Sequence, residues 1–316
     1  MKVALITDKS GMEPYYSKSG KIYRLDNDVP YIHEQSLSNE CIMGFWNIPV
    51  LFDGWFLNSN FIKPEKFPDI DLDLIFLSHQ RKDTPIPVSF IRKKYPNAII
   101  SSITQETFTD RNVLYKNFKD CDIVCGCYSD VERYDDIMND IDKQMHWIPE
   151  PFDVEYLHNK YYTGEKELSI FSYKHSRPQR MGNTEQFANY IGQKHNIPVI
   201  RKWTDLVENQ WKDFLDMWTP SAYHFNLDPE PHPGDQAIQC AIVGTINIGG
   251  NNDSHKILFP DTSGNDLNHL EKQIDLYLSS EDVYHQAIEH AWNKVNEIYS
   301  FNAVRQKILK IVEQYS

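Results

Sequence analysis

Basic charge is scarce in this sequence: 32 Lys and Arg stand against 45 Asp and Glu, a formal net charge of -13. The deficit is even, with 17 basic against 23 acidic residues in positions 1–150 and 15 against 22 in the remainder. Neither half is a basic module, so long-range attraction to a nucleic-acid backbone is disfavoured, although a local basic cleft can still hold one nucleotide diphosphate or a short strand. Cysteine is also scarce. Five in 316 residues is an odd number and no disulfide framework. Cys121, Cys125 and Cys127 invite a zinc reading, but Cys125 and Cys127 flank a single Gly at a predicted strand end and no second Cys/His pair has finger-like spacing, so they are read as buried thiols and no metal is expected. Long apolar runs are missing: none approaches the ~18 residues of a membrane span, and Met1-Lys2-Val3-Ala4-Leu5-Ile6-Thr7 reaches Asp8 too soon for a signal peptide. The expectation is a cytoplasmic protein without a membrane span.

What is present is globular. The chain is 41% hydrophobic, 13% aromatic and 24% charged, and its 316 residues exceed the roughly 250 to 300 that one core serves, so two domains are expected. Short β-branched runs alternate with helical patterns, the sequence form of βαβ units. In the first half the runs are Val3–Thr7, Val50–Phe52, Leu72–Leu77, Ala98–Ser101, Asp122–Cys125 and His146–Ile148. Helices are predicted over Tyr31–Phe45, Pro87–Tyr95, Asp110–Phe118 and Ser129–Asn139. The second half offers strands at Leu168–Tyr173, Pro198–Arg201, Ala222–Asn226, Thr245–Ile248 and Ile257–Phe259. Its helices are Asn183–His195, Val207–Trp218, Asp235–Val243, Asp266–Leu278, Glu281–Ile298 and Asn302–Tyr315. The stretch Pro149–Glu167, rich in Pro, Tyr and charge, reads as the hinge.

Three segments resemble the retaining GT-B glycosyltransferases. His146-Trp147-Ile148-Pro149-Glu150-Pro151-Phe152-Asp153 is similar to that family's Ile-Pro-Asn-Gly-Val-Asp crossing between domains, with Glu150-Pro151 in place of Asn-Gly. Asp228 to Thr245, followed by Gly249-Gly250, resembles its Glu-x-x-Gly-x-x-x-x-Glu-Ala-x-Ala-x-Gly-x-Pro element: Gly234, Gln239 and Gly244 keep the spacing, Glu230 sits one residue further upstream, and Gln239 replaces the second Glu. The two helices at the end resemble the family's final pair. The resemblance implies an α/β protein of two Rossmann-like domains with parallel sheets facing a central cleft. Residues 1–150 would form an acceptor-side domain and 151–316 a nucleotide-sugar-binding domain whose last helix packs back on the first. It implies a transferase moving a sugar from a nucleotide-diphosphate sugar to an acceptor, retaining and metal-independent, with no cofactor beyond that donor.

A sugar-nucleotide donor carries a diphosphate whose charge grows as the glycosidic bond breaks, so cations and backbone amides must converge on it at a helix N-terminus. Lys174, His175, Arg177 and Arg180 follow a predicted strand and precede a helix, where the family places its phosphate-binding Arg and Lys. Gly234 and Asp235 open the next candidate helix, with Asn226 and Asp228 just upstream. Glu230 is the candidate for holding donor-sugar hydroxyls, and Gln239 takes the position that binds the donor ribose in relatives; an amide both accepts and donates. Arg201-Lys202-Trp203 offers a base-stacking Trp or a core residue, and Gly249 to Asp253 either flanks the donor or is a plain loop. In the first half, Asp8 to Gly20 and Ser78-His79-Gln80-Arg81 follow strands. His79 is the candidate for orienting the acceptor. Ser101 to Glu106 lacks the His that relatives often carry there, leaving Glu106 or His79 to substitute, or the departing phosphate to take the proton. Asp71-Leu72-Asp73 opens a strand and is not placed as a metal dyad. The alternatives are a sugar-nucleotide epimerase of the same fold, a non-catalytic sugar-nucleotide-binding relative, and a transferase that modifies DNA bases.

Overall fold

The computed structural model describes residues 1–7, 21–26, 29–34, 44–52, 54–58, 64–78, 87–104, 111–162, 164–172, 182–201, 215, 219–229 and 233–315. The chain divides into two units, Met1–Phe152 with Phe301–Ser316, and Asp153–Ser300.

Eight strands form the sheet of the first unit: Val3–Thr7 (β1), Lys21–Asp26 (β2), Val29–Glu34 (β3), Trp55–Asn58 (β4), Leu74–Ser78 (β5), Ile99–Thr104 (β6), Ile123–Gly126 (β7) and Met145–Trp147 (β8). Their order is β3-β2-β4-β1-β5-β6-β7-β8, with every neighbouring pair parallel except β2 and β3. β1 and β5 are buried along their whole length, because both faces of the sheet are covered, and a strand covered on both faces reads as a continuous apolar run. Val3, Leu5, Leu74 and Phe76 pack with Val304, Ile308 and Ile311 of the helix Phe301–Val312. Ala4, Ile6, Ile75 and Leu77, on the opposite face, pack with Val88 and Ile91 of the helix Val88–Lys94. The C-terminal helix is tied in further where Phe301 donates its N–H to the Phe152 carbonyl at 3.2 Å.

The second unit has four parallel strands, Glu167–Ser172 (β9), Val199–Ile200 (β10), Ser221–Phe225 (β11) and Ile246–Ile248 (β12), in the order β10-β9-β11-β12. Its helices are Val154–Tyr161, Thr184–His195, Asp235–Val243, Asp253–Leu258, Leu267–Ser279 and Glu281–Ile298 among the described residues. Asp235–Val243 is the central one, buried from Ala237 through Val243.

Three expectations are corrected. Val50–Phe52 lies in a 3-10 helix, Gly44–Phe52, with Pro49 inside it. Ile48 and Leu51 spend their apolar surface on core packing, the Pro49 carbonyl accepts the Gly54 N–H at 2.7 Å to turn the chain, and the strand is the next segment, β4. The predicted helix Tyr31–Phe45 begins instead as β3, paired antiparallel with β2 from Lys21↔Glu34 to Asp26↔Val29. Only Asn27-Asp28 lies between those strands, and Pro30 is admissible because β3 is an edge strand. Ile257–Phe259 is largely helical, ending the helix Asp253–Leu258 that Asn252 caps by accepting the His255 N–H at 2.8 Å. The division between the two units at Phe152 and Asp153 falls within the stretch Pro149–Glu167, which also holds the helix Val154–Tyr161, capped by Asp153 and burying Val154, Leu157 and Tyr161. The predicted helix Val207–Trp218 lies outside the described residues, apart from Leu215.

Candidate functional site

Ligands of open parallel sheets sit beyond the carboxyl ends of the strands, where the strand order reverses. In the second unit that point lies between β9 and β11, which end side by side with Ser172 paired to Phe225. The chain leaves β11 through Asn226, Leu227 and Asp228, all buried. Backbone bonds join the loops that meet here. The Asn226 N–H donates to the Ile248 carbonyl at 2.9 Å, and the Asn251 N–H to the Asp228 carbonyl at 3.1 Å. Thr184, first residue of its helix, accepts the Leu227 N–H on Oγ1 at 2.8 Å. After β12, Gly250 and Gly264 exchange bonds at 3.0 and 2.7 Å. Gly250 has φ +98° and abuts the Asn226 carbonyl, where a Cβ would lie 2.6 Å from the oxygen.

Helix Asp235–Val243 starts at this end of the sheet. Its N-cap, Gly234, sits in the left-handed region at φ 96° and ψ 52° and, as a glycine, brings no side chain to cap the turn. A Cβ there would come 2.1 Å from Asn252 Oδ1. Ala237 and Ile238 donate to the Gly234 carbonyl, whereas the first-turn amides ahead of them have no intrahelical acceptor, as at any helix start. With the helix dipole, these N–H groups favour an anion. Asp235, half-buried at the first helical position, places a carboxylate beside the same end, so what it can offer an anionic ligand is its backbone N–H.

Asn226, a candidate binding residue in the sequence, gives one of its two side-chain N–H groups to Gln236 Oε1, which leaves the other N–H and the amide oxygen for further partners. Gln239 is 3% exposed, and its Oε1 has no hydrogen-bond partner. Leaving such an acceptor buried and unmatched costs about 1–3 kcal/mol, a cost that a ligand hydroxyl would remove. Glu230, Lys174, Arg177, Arg180 and His79 lie outside the described residues, as do His175, Glu106, Lys202-Trp203 and Asp8 to Gly20. The structure therefore brings together Asn226, Gly234, Asp235 and Gln239 around one helix, beside Gly249-Gly250 and Asn252.

Beneath this corner runs a buried polar network absent from the sequence-based expectations. His224 Nδ1 lies 3.0 Å from Asn247 Oδ1, and Asn247 Nδ2 lies 3.1 Å from His255 Nδ1. His255 Nε2 is 3.0 Å from the Asn247 carbonyl, which also accepts from Thr262 Oγ1 at 2.7 Å. The amide sets both tautomers: His224 donates from Nδ1, while His255 accepts on Nδ1 and donates from Nε2. Burial holds the two imidazoles neutral, pushing His224 down to about 4 and His255 down to about 3. The network ties β11 and β12 to the helix that follows the Gly249-Gly250 corner. Its residues are spread over four separate segments, and no spacing rule connects them.

In the first unit the order reverses between β1 and β5, whose last residues, Thr7 and Ser78, are register partners. Ser78 and, on β6, Ser102 are buried hydroxyls whose Oγ atoms have no hydrogen-bond partner. Cys121, Cys125 and Cys127 are buried and reduced, and burial pushes the Cys121 and Cys125 thiols up to about 12. Among the described residues, no helix is long and apolar enough to cross a membrane.

No family model matches the chain, and no curated protein does. Solved structures do match it. A trehalose-6-phosphate synthase superposes with a TM-score of 0.61 at 10% identity, over 99% of both chains. An alpha-glucosyltransferase in complex with UDP-glucose and DNA containing an abasic site gives 0.59 at 10% identity, again over 99% of both. A glycosyltransferase from Rickettsia africae ESF-5 gives 0.56 at 10% identity, over 99% of this chain and 98% of that one. The fold is that of the GT-B glycosyltransferases. At such low identity the GT-B likeness concerns backbone architecture, and the side chains around Gly234 and Gln239 have to be judged by their own chemistry.

Proposed function

We propose that this chain is a glycosyltransferase whose second unit holds a nucleotide-diphosphate sugar at the start of helix Asp235–Val243. The observation that carries the proposal is a helix N-terminus with a left-handed glycine as its N-cap, at the reversal point of a parallel sheet, with the unpaired acceptor of Gln239 on the same helix. Amides and dipole suit the diphosphate, and the Gln239 carboxamide suits a ribose hydroxyl. Lys174, Arg177 and Arg180, which follow β9 in sequence, supply the cations that neutralise the leaving diphosphate in place of a metal. Glu230 holds the donor sugar. Acceptor contact is assigned to the carboxyl ends of β1 and β5, with His79 following Ser78 there. Transfer proceeds with retention, without a divalent metal or other cofactor, in the cytoplasm.

The fold's GT-B neighbours support this choice of reaction class, and two of them point to a nucleotide-sugar donor: one holds UDP-glucose with DNA and another UDP with a DNA 13-mer containing a HMU base. The test measures release of nucleoside diphosphate from a panel of nucleotide sugars, with EDTA present, against small sugars and a duplex carrying a hydroxymethylated base. Acceptor-dependent release is expected. Conversion of the donor without any acceptor would identify an epimerase instead, and no conversion with tight nucleotide-sugar binding would identify a non-catalytic binder. Arg177→Ala or Arg180→Ala should weaken nucleoside-diphosphate binding about 10- to 150-fold, the range for one charge-assisted bond. Unchanged affinity in both variants removes the assignment.

A further inference from the structure

We propose that Asn252 is a ligand-contacting residue whose side-chain NH2 donates to the distal phosphate of the bound nucleoside diphosphate; this rests on the donor site proposed above.

Asn252 is 1% exposed. Its Oδ1 accepts the His255 N–H at 2.8 Å, which settles the orientation of the amide, since a flipped side chain would set NH2 against N–H. Its Nδ2 is buried and has no hydrogen-bond partner. The carboxamide is wedged between two glycines: a Cβ on Gly234 would meet Oδ1 at 2.1 Å and Cγ at 2.6 Å, and a Cβ on Gly250 would lie 3.4 Å from Nδ2. Both glycines have positive φ. One of them is the N-cap of the nine-residue helix Asp235–Val243, so the carboxamide lies against the start of the helix assigned to the diphosphate, with its unpaired NH2 on the side of Gly250.

Capping alone does not explain the choice of side chain. Asp and Ser cap a helix about as well as Asn, and neither buries an NH2 with nothing to bond. The site thus carries a donor that the folded chain does not use, next to a helix end that attracts anions. A phosphate oxygen is the acceptor that this chemistry fits: it accepts from several donors at once, and a neutral NH2 adds to the helix amides without a counter-charge to displace. Positioned on the distal phosphate, Asn252 strengthens its hold as negative charge accumulates on the departing diphosphate.

Two substitutions keep the cap and remove the donor. Asn252→Ser deletes the NH2, and Asn252→Asp replaces it with a carboxylate oxygen in the same shape. Binding of UDP, ADP, GDP and TDP is measured by calorimetry for wild type and both variants, then repeated with the monophosphate of whichever base binds. Thermal midpoints without ligand accompany each protein, so if one variant fails to fold the other decides. The expected result is a loss of about tenfold for the diphosphate in Asn252→Ser and about a hundredfold in Asn252→Asp, the size of one or two such bonds, with monophosphate binding nearly unchanged. Equal binding in wild type and a folded variant would overturn the role of Asn252 while leaving the donor site in place, and so would equal losses for diphosphate and monophosphate. If wild type bound none of the four diphosphates, the donor site itself would fail, and Asn252 with it.

Discussion

The buried titratable side chains of the first sheet include the thiols of Cys121 and Cys125, while those around the second sheet include the imidazoles of His224 and His255. All four are neutral, for the same reason: each has lost its solvation. The direction of the shift differs, with thiols driven up to about 12 and imidazoles down to about 4 and 3. A second difference goes with the first. The Cys125 thiol accepts a bond from Ser101 at 3.3 Å and the Cys121 thiol lies near Lys143 and Asp122, whereas the imidazoles are locked through Asn247 into a network that ends at the candidate nucleotide site. The first sheet is held by its packing and the second by packing plus a polar scaffold, so the second should be the more sensitive to single polar changes and to acid.

The largest effect is expected from Gly234→Val. A side chain in the left-handed region and a clash with Asn252 each cost about 1–3 kcal/mol, and both act on the second unit. Hydrogen exchange read peptide by peptide should show loss of protection in residues 221–262, with β1 and β5 unchanged. Comparable loss in both units would remove the distinction between them.

Asn247→Ala comes next. It strips partners from His224 and His255 together, at about 1–3 kcal/mol for each polar group left buried and unpaired. The same network fixes a pH dependence. Both histidines have folded pKa values below the ordinary 6.5, so in acid the unfolded chain binds protons that the folded chain refuses. Their contribution is complete above about 6.5 and is lost as pH falls toward 4 and 3. Exchange protection in the second unit should decline between pH 7 and 5 more steeply than in the first, where half-buried His146 is shifted in the same direction. The alkaline side is less diagnostic, because the Cys240 thiol of the second unit is also raised by burial. An identical acid response in Asn247→Ala and wild type would show that the network does not set it.

A smaller effect is expected in the first unit from Lys143→Met. The ammonium of Lys143 donates to the carbonyls of Phe118 at 3.0 Å, Lys119 at 2.6 Å and Cys121, closing the end of the helix Arg111–Phe118. Loss of these bonds should lower the urea midpoint by the equivalent of about 1–2 kcal/mol, leaving nucleotide binding unaffected. A change in nucleotide affinity would mean that the two units are coupled through this helix.

Strong local signals made most of the architecture legible. Val3–Thr7, the helix Asp235–Val243 and the long helix Glu281–Ile298 each carry one dominant pattern, a doubly buried apolar run or a sustained helical period. The segments where structure and expectation differ are those in which two signals compete. Val50–Phe52 is apolar enough for a strand but follows Pro49; Tyr31 to Glu34 fits a helical pattern in sequence yet pairs antiparallel with β2; Ile257 follows Asn252, which caps a helix. At the candidate site, Gly234 and Gln239 stand out through the resemblance of their segment to the GT-B element. Asn252 falls within the Gly249 to Asp253 stretch offered as flanking the donor, whereas Gln236, Asn247 and His255 carry no sequence signal, since their contacts join separate segments.

The central claim is that the start of helix Asp235–Val243 binds a nucleoside diphosphate. A crystal structure of the wild-type chain with UDP tests it most directly. The diphosphate is expected within about 3.2 Å of the Asp235 or Gln236 backbone N–H, with the ribose in hydrogen-bond reach of Gln239. A well-ordered nucleotide seated elsewhere, for instance beyond Thr7 and Ser78 with its phosphates far from Gly234, would contradict the assignment.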